Sequence, residues 1–262
     1  MGLAKAFNLL VVFGFILIQF PGQGALVSNK NAKNRALLVG VPDDLQGIDK
    51  DLDIVSKLVG QPQYAFYTRT LWNQAGTAEN ILREISELSS QAEKDGTLFF
   101  YYTGHGVENE IEAYGGNLEI KKIAAAIALG RKDQGPLARL VVFFDACRAG
   151  TYIDPFKELY KIYKDLPSLI LAETLEKELL ATGTHRQNWK ESFVFASSQA
   201  DEDSQPTVDG SQFTLALKKS FEELTSSNGS LKEWSERTIK YTEDHRPVPH
   251  FHPASLEKER LF

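Results

Sequence analysis

Short, uninterrupted apolar runs alternate along this chain with segments whose apolar residues recur every three or four positions. Residues 35–41 (RALLVGV), 97–103 (TLFFYYT), 139–145 (RLVVFFD) and 192–198 (SFVFASS) have the length and composition of strands buried on both faces. Between them, Ile48, Leu52, Ile54, Val55, Leu58 and Val59 recur at helical spacing. Ile81, Ile85 and Leu88 do the same after Thr77-Ala78-Glu79-Asn80, where Thr77 is suited to cap a helix N-terminus. Residues 120–129 predict an alanine-rich helix, and residues 213–224 and 231–241 predict amphipathic ones. Residues 65–68 read as a short strand and residues 114–118 as a turn. Residues 245–252 read as an edge strand, because Pro247 and Pro249 cannot donate to a central ladder. Strands alternating with helices predict an α/β fold with a mostly parallel central sheet and helices on both faces. In such sheets chemistry gathers beyond the carboxyl ends of the strands.

Composition refines this picture modestly. A chain of 262 residues with 42% apolar content is large enough for one α/β domain, expected here over residues 35–252. The net charge of −6 argues against a general nucleic-acid surface. Lys5, the apolar stretch 9–20, and Gly22 and Gly24 before Ala25 read as an export signal over residues 1–24. The stretch is short for a membrane span, which needs about 20 residues. A secreted or periplasmic location is therefore expected, with membrane contact only if this segment stays uncleaved. Residues 151–191 interrupt the alternation with Lys157, Lys161, Lys164, Lys177, Arg186 and Lys190, and read as a surface insertion.

Two of the strand-like runs end in reactive side chains flanked by glycine. Residues 98–102 run into Thr103-Gly104-His105-Gly106, and residues 140–144 into Asp145-Ala146-Cys147-Arg148-Ala149-Gly150. Cys147 is the sole cysteine, so it cannot form an internal disulfide and is either a packing residue or a nucleophile. A thiol attacks as thiolate and needs a base, which His105 supplies if the two strand ends are neighbours. The backbone N–H groups of Gly106 and Cys147 are placed to stabilise an oxyanion.

These residues resemble a known family. Tyr101-Tyr102-Thr103-Gly104-His105-Gly106 resembles the glycine-histidine-glycine signature of caspases and metacaspases, and Asp145-Ala146-Cys147-Arg148-Ala149-Gly150 resembles their cysteine signature. Residues 35–41 resemble the first strand of that fold, and Asp51 on the first helix fits the pattern. The resemblance implies a caspase-like fold and a cysteine endopeptidase with a Cys147/His105 dyad, acting on proteins or peptides. Metacaspase-like members carry aspartate two residues before the cysteine, as Asp145 stands here, and cleave after Arg or Lys; caspases carry glutamine there and cleave after Asp. Cleavage after basic residues is therefore expected, with Asp145, Thr103 and Asp201 or Asp203 at the substrate pocket. Lys and Arg residues of the insertion would then be self-cleavage sites.

Other readings use the same residues. A catalytically silent caspase-fold interaction module keeps the sheet without the chemistry, and a legumain- or gingipain-type peptidase keeps the thiol with another specificity. No cofactor is required by the motifs. Asp43, Asp44, Asp49, Asp51 and Asp53 cluster, yet no calcium-loop pattern is present, which leaves calcium activation open. His250 and His252 share one side of a strand but lack nearby partners for a metal, so no metal site is expected.

Overall fold

The computed structural model describes residues 32–131, 134, 136–156, 189–204, 206–224, 230–242 and 246–252. The expected export signal at 1–24 lies outside them, as do most of the expected insertion and its Lys157, Lys161, Lys164, Lys177 and Arg186. No helix of the described residues is long and apolar enough to cross a membrane.

The apolar runs become strands β1 (Asn34–Val41), β3 (Thr97–Gly104), β7 (Leu137–Asp145) and β8 (Trp189–Ala196). With β2 (Phe66–Trp72) and β9 (Val248–His252) they form a six-stranded sheet of order β2-β1-β3-β7-β8-β9. Every pairing is parallel except that of β9 with β8. As expected from its prolines, β9 is an edge strand. Phe251 of β9 stacks on Phe193 of β8, 4.9 Å between ring centroids.

Helices cover both faces because successive strand residues point to opposite sides. Leu37, Val39, Phe100, Tyr102, Val142 and Phe144 face α2 (Ala78–Gln91) and α3 (Ile120–Gly130) through Ile81, Ile85, Leu88, Ile123 and Ile127. Ala36, Leu38, Phe99, Tyr101, Val141 and Phe143 face α1 (Ile48–Val59), α4 (Gln212–Leu224) and α5 (Leu231–Tyr241) through Leu52, Val55, Phe213, Leu217 and Trp234. The Thr77 side chain accepts the Asn80 N–H at 3.2 Å and starts α2 as expected. Ser230 and Glu233 form a reciprocal capping box that starts α5.

Three expectations shift. The strand expected at 65–68 runs over Phe66–Trp72 instead, and Ala65 precedes it with a left-handed φ of 47°. Only one of its edges is paired, so polar Thr68, Arg69 and Thr70 are tolerated in it and obscure its pattern. The turn expected at 114–118 is narrower. Tyr114-Gly115 alone joins β5 (Glu110–Ala113) to β6 (Gly116–Glu119), with Ala113 opposite Gly116. The strand expected at 192–198 starts earlier and ends at Ala196, releasing Ser197 and Ser198 to the loop beyond.

β5 and β6 belong to a small antiparallel sheet with β4 (Gly106–Val107), which the hydropathy pattern does not announce. Strands of two to four residues carry too few alternating positions to stand out.

Phe143 joins the second face. Its ring meets Phe99 at 5.1 Å, Trp234 at 5.4 Å and Phe193 at 5.7 Å between centroids. Phe143→Ala should destabilise the chain by about 3–5 kcal/mol, read as a lowered midpoint in urea. An unchanged midpoint would mean that this aromatic cluster is not what holds α5 to the sheet.

Candidate active site

β3 and β7 pair in a register that sets Thr103 opposite Asp145. β7 ends there and β3 one residue later, so His105 and Cys147, each two residues past the paired position, leave the sheet from adjacent points on its carboxyl edge. The two loops touch. A side chain at Gly106 would collide with the Tyr152 hydroxyl and stand 2.8 Å from the Cys147 carbonyl and 2.9 Å from Ala146 Cβ. Only glycine lets the histidine loop close onto the cysteine loop.

Buried hydroxyls hold both loops. Tyr102 donates its hydroxyl to the carbonyls of His105 at 2.7 Å and Glu112 at 2.8 Å. Tyr152, in the 3-10 turn Ala149–Tyr152, reaches the carbonyls of Val107 at 2.9 Å, Glu110 at 2.7 Å and Cys147 at 3.3 Å. Ser197 Oγ accepts the Ala146 N–H and Ser198 Oγ accepts the Ala149 N–H, each at 3.1 Å. Tyr152 escapes sequence reasoning as a site residue, since nothing local marks it. Ser197 and Ser198 open the loop after β8, the strand that neighbours β7.

The Cys147 side chain is half-buried. The Ser204 N–H points at its Sγ from 3.3 Å, and the Ser204 carbonyl lies 4.0 Å away. The Arg148 N–H donates to the Glu202 carbonyl at 2.8 Å, fastening the same segment over the cysteine turn. Burial pushes the Cys147 thiol up, and the Asp203 and Asp145 carboxylates add to this. The thiol therefore holds its proton at neutral pH. Across the site, His105 Nε2 lies 2.7 Å from Asp44 Oδ1.

Beneath the thiol lie two carboxyl groups sealed from water. Asp145 is 3% exposed and Asp51, on α1, is 0% exposed. Asp145 accepts hydroxyl hydrogen bonds from Ser211, from Thr214 at 2.8 Å, from Ser204 at 3.1 Å and from Tyr101 at 3.4 Å. Asp51 accepts from the Thr103 hydroxyl at 3.0 Å and the Ser211 N–H at 2.8 Å. Among the described residues neither carboxyl has a cationic partner. Burial raises both pKa values, and the neighbouring Asp145 helps to push Asp51 up to about 8.

Of the residues expected at the site, His105, Gly106, Cys147, Thr103 and Asp145 are gathered at the carboxyl ends of β3 and β7. Asp201 is exposed in the loop after β8 and is not brought to the acid pair; Ser204 and Ser211 from that stretch are. Asp203 is also exposed, and acts on Cys147 only through its charge. Asp43, Asp44 and His105 each offer a ligand atom within 4.8 Å of the others, the one such grouping among the described residues; exposed acidic groups often lie so without a metal. His250 lies on β9, and nothing is described of the His252 side chain or of His185 and His245.

Because its folded pKa lies above its unfolded one, the Asp51 carboxyl keeps a proton that the unfolded chain has lost between about pH 4 and about pH 8. The folded state binds more protons in that window, so stability should fall as pH rises through it. Asp51→Asn should flatten the slope and raise the melting temperature at pH 8 relative to wild type. A wild-type melting temperature that rises from pH 5 to pH 8 would contradict this.

The sequence profile of the caspase domain, a peptidase family, matches residues 26–260. Among solved structures, the protein GSU0716 of Geobacter sulfurreducens superposes with a TM-score of 0.61 at 14% identity, covering 87% of this chain and 98% of its own. Caspase-1 of Spodoptera frugiperda superposes with a TM-score of 0.52 at 14% identity, covering 87% of this chain and 90% of its own. No curated protein matches the sequence. At such low identity the two structures speak for the fold alone, but they agree with the profile, which spans most of the sequence: the chain belongs to the caspase-domain family.

Proposed function

We propose that the chain is an exported cysteine endopeptidase that cleaves proteins or peptides after Arg or Lys. The observation that carries this reading is the buried Asp51–Asp145 pair beside Cys147, which has no cationic partner among the described residues. Two carboxyl groups sealed together are costly, and a folded chain keeps such an arrangement where it serves a site. A guanidinium or ammonium group placed between them would restore their ionised forms and form charge-assisted hydrogen bonds. An aspartate side chain would meet only repulsion there.

In the proposed reaction His105 takes the Cys147 thiol proton as the sulfur attacks the substrate carbonyl carbon. The backbone N–H groups of Gly106 and Cys147 receive the developing oxyanion. The tetrahedral intermediate collapses, the C–N bond breaks, and the His105 proton goes to the leaving amine. Water then attacks the thioester, with His105 as base, and releases the acid product and the free thiol. A nucleophile whose resting pKa is raised suits a mechanism in which the proton is removed only as substrate arrives. Ser204 and Ser211 now occupy the space over the acid pair, so the segment that carries them withdraws before a basic side chain binds. The chemistry draws on the chain's own groups and asks for no cofactor. Residues 1–24 would direct export, after which the sole thiol would work in an oxidising compartment.

Hydrolysis of fluorogenic peptides ending in Arg, Lys or Asp tests the reading. Cleavage after Arg and Lys is expected, at equal rates with calcium or EDTA, and Cys147→Ala should abolish it. Asp145→Asn should lower kcat/KM on the Arg peptide by about 100-fold, the scale of losing one partner of a buried charge pair. Cleavage after Asp alone would overturn the pocket assignment, and no Cys147-dependent cleavage would favour a silent interaction module.

A further inference from the structure

We propose that Asp44 is a positioning residue that fixes the tautomer of His105 and balances its charge during proton transfer; this rests on the proposed role of His105 as the proton acceptor. The sheet brings the two residues together. Val41 ends β1 level with Gly104 of β3, so the turn that follows β1 emerges beside the histidine loop. Gly104 has a φ of 153°, and a Cβ there would stand 2.7 Å from the Val41 carbonyl and 2.6 Å from the Tyr102 hydroxyl. Its bareness lets the ends of β1 and β3 close up. The Leu45 N–H donates to the Pro42 carbonyl at 2.5 Å, and Asp43 takes a left-handed φ of 40°. This tight turn presents Asp44 to the imidazole.

The backbone and the ring of His105 are held separately. Its carbonyl accepts from the Tyr102 hydroxyl at 2.7 Å and from the Glu112 N–H at 3.1 Å. Its Nε2 faces Asp44 Oδ1 at 2.7 Å, and among the described residues no other side chain hydrogen-bonds the ring. The hydrogen bond with His105 holds the Asp44 carboxyl below its ordinary range, so it is ionised at neutral pH. An ionised carboxylate only accepts, so in the neutral ring Nε2 carries the hydrogen and Nδ1 the lone pair. When Nδ1 takes the thiol proton, the ring becomes a cation with Asp44 as its counter-ion, and when it passes that proton to the leaving amine the original tautomer returns. The Asp44 side chain is 82% exposed, so water weakens the pair and the effect is smaller than that of a buried triad carboxylate.

The test compares the full chain with its Asp44→Ala and Asp44→Glu variants in two assays at neutral pH: hydrolysis of an Arg peptide, and alkylation of Cys147 by iodoacetamide. Asp44→Ala should lower kcat by about tenfold, below the usual range for losing a general base outright, with KM within about twofold. It should slow alkylation by a similar factor, because the ring then accepts the thiol proton less readily as the sulfur attacks. Asp44→Glu, which returns a carboxylate to an exposed turn, should restore most of both rates. Wild-type rates in Asp44→Ala, an effect on KM alone, or equal losses in both variants would overturn the proposal. If wild type cleaves no peptide, alkylation decides: slowing by Ala with rescue by Glu upholds the role of Asp44 while the peptidase reading falls, and unchanged alkylation overturns both.

Discussion

The parallel pairing of β3 with β7 is the constraint on which the site depends. Parallel strands deliver their loops to the same edge of the sheet, and the register decides how far apart those loops begin. Thr103 opposite Asp145 and Gly104 opposite Val41 bring three chain turns to one point, carrying His105, Cys147 and Asp44. Burial on both faces locks that register. Sliding β3 by one residue would move Tyr102 off the α2–α3 face and Tyr101 off the α4 face. Tyr102 would then lose its reach to the His105 carbonyl, and Tyr101 its bond to Thr214, 2.7 Å long in the native register. The core and the site are thus set by the same alternation.

The second constraint is electrostatic and works against stability. Asp51 and Asp145 sit where hydrophobic packing would normally be found, under five hydroxyls and one backbone N–H. These donors reduce the cost of burying charge but do not remove it, since burial remains the largest influence on both groups and raises their pKa values. Such a pair is suited to a cation as the missing component, which is what the proposed reading supplies.

Much of this was legible in the sequence because the strands flanking the site are fully buried. Residues 98–102 and 140–144 have no polar face to blur their boundaries, so the loops at their ends, and with them His105 and Cys147, stand out. What stayed hidden was carried by short or edge elements and by contacts distant in sequence. β2 mixes Thr and Arg into an edge strand, and β4 has two residues. Asp201, expected at the pocket from the resemblance, is exposed, while Ser204 of the same loop is the residue that reaches Asp145. The partnership of Asp51 with Asp145 spans α1 and β7, and nothing local in either segment announces it. Asp44 was legible only as one of five clustered aspartates, and its approach to His105 follows from strand register, not from spacing.

One segment links the thiol to the acid pair. Glu202 fastens to Arg148 through its carbonyl and to the Arg246 side chain through its carboxylate, with Nε at 2.7 Å. From that anchor the chain passes Ser204 over Cys147 and Asp145, and Ser211 over Asp145 and Asp51. A movement of this segment that bared the sulfur would also remove two hydroxyl donors from Asp145. Losing them raises the cost of an ionised Asp145 unless a new donor takes their place. A basic side chain is such a donor, and a stronger one because it carries the compensating charge. If the proposed reading holds, opening would be expensive with the pocket empty and cheap with it filled, so the segment's own hydrogen bonds would favour the covered, protonated thiol until a cation arrives. Under the proposed reading, selectivity for a basic residue and protection of the sole cysteine would follow from one set of bonds.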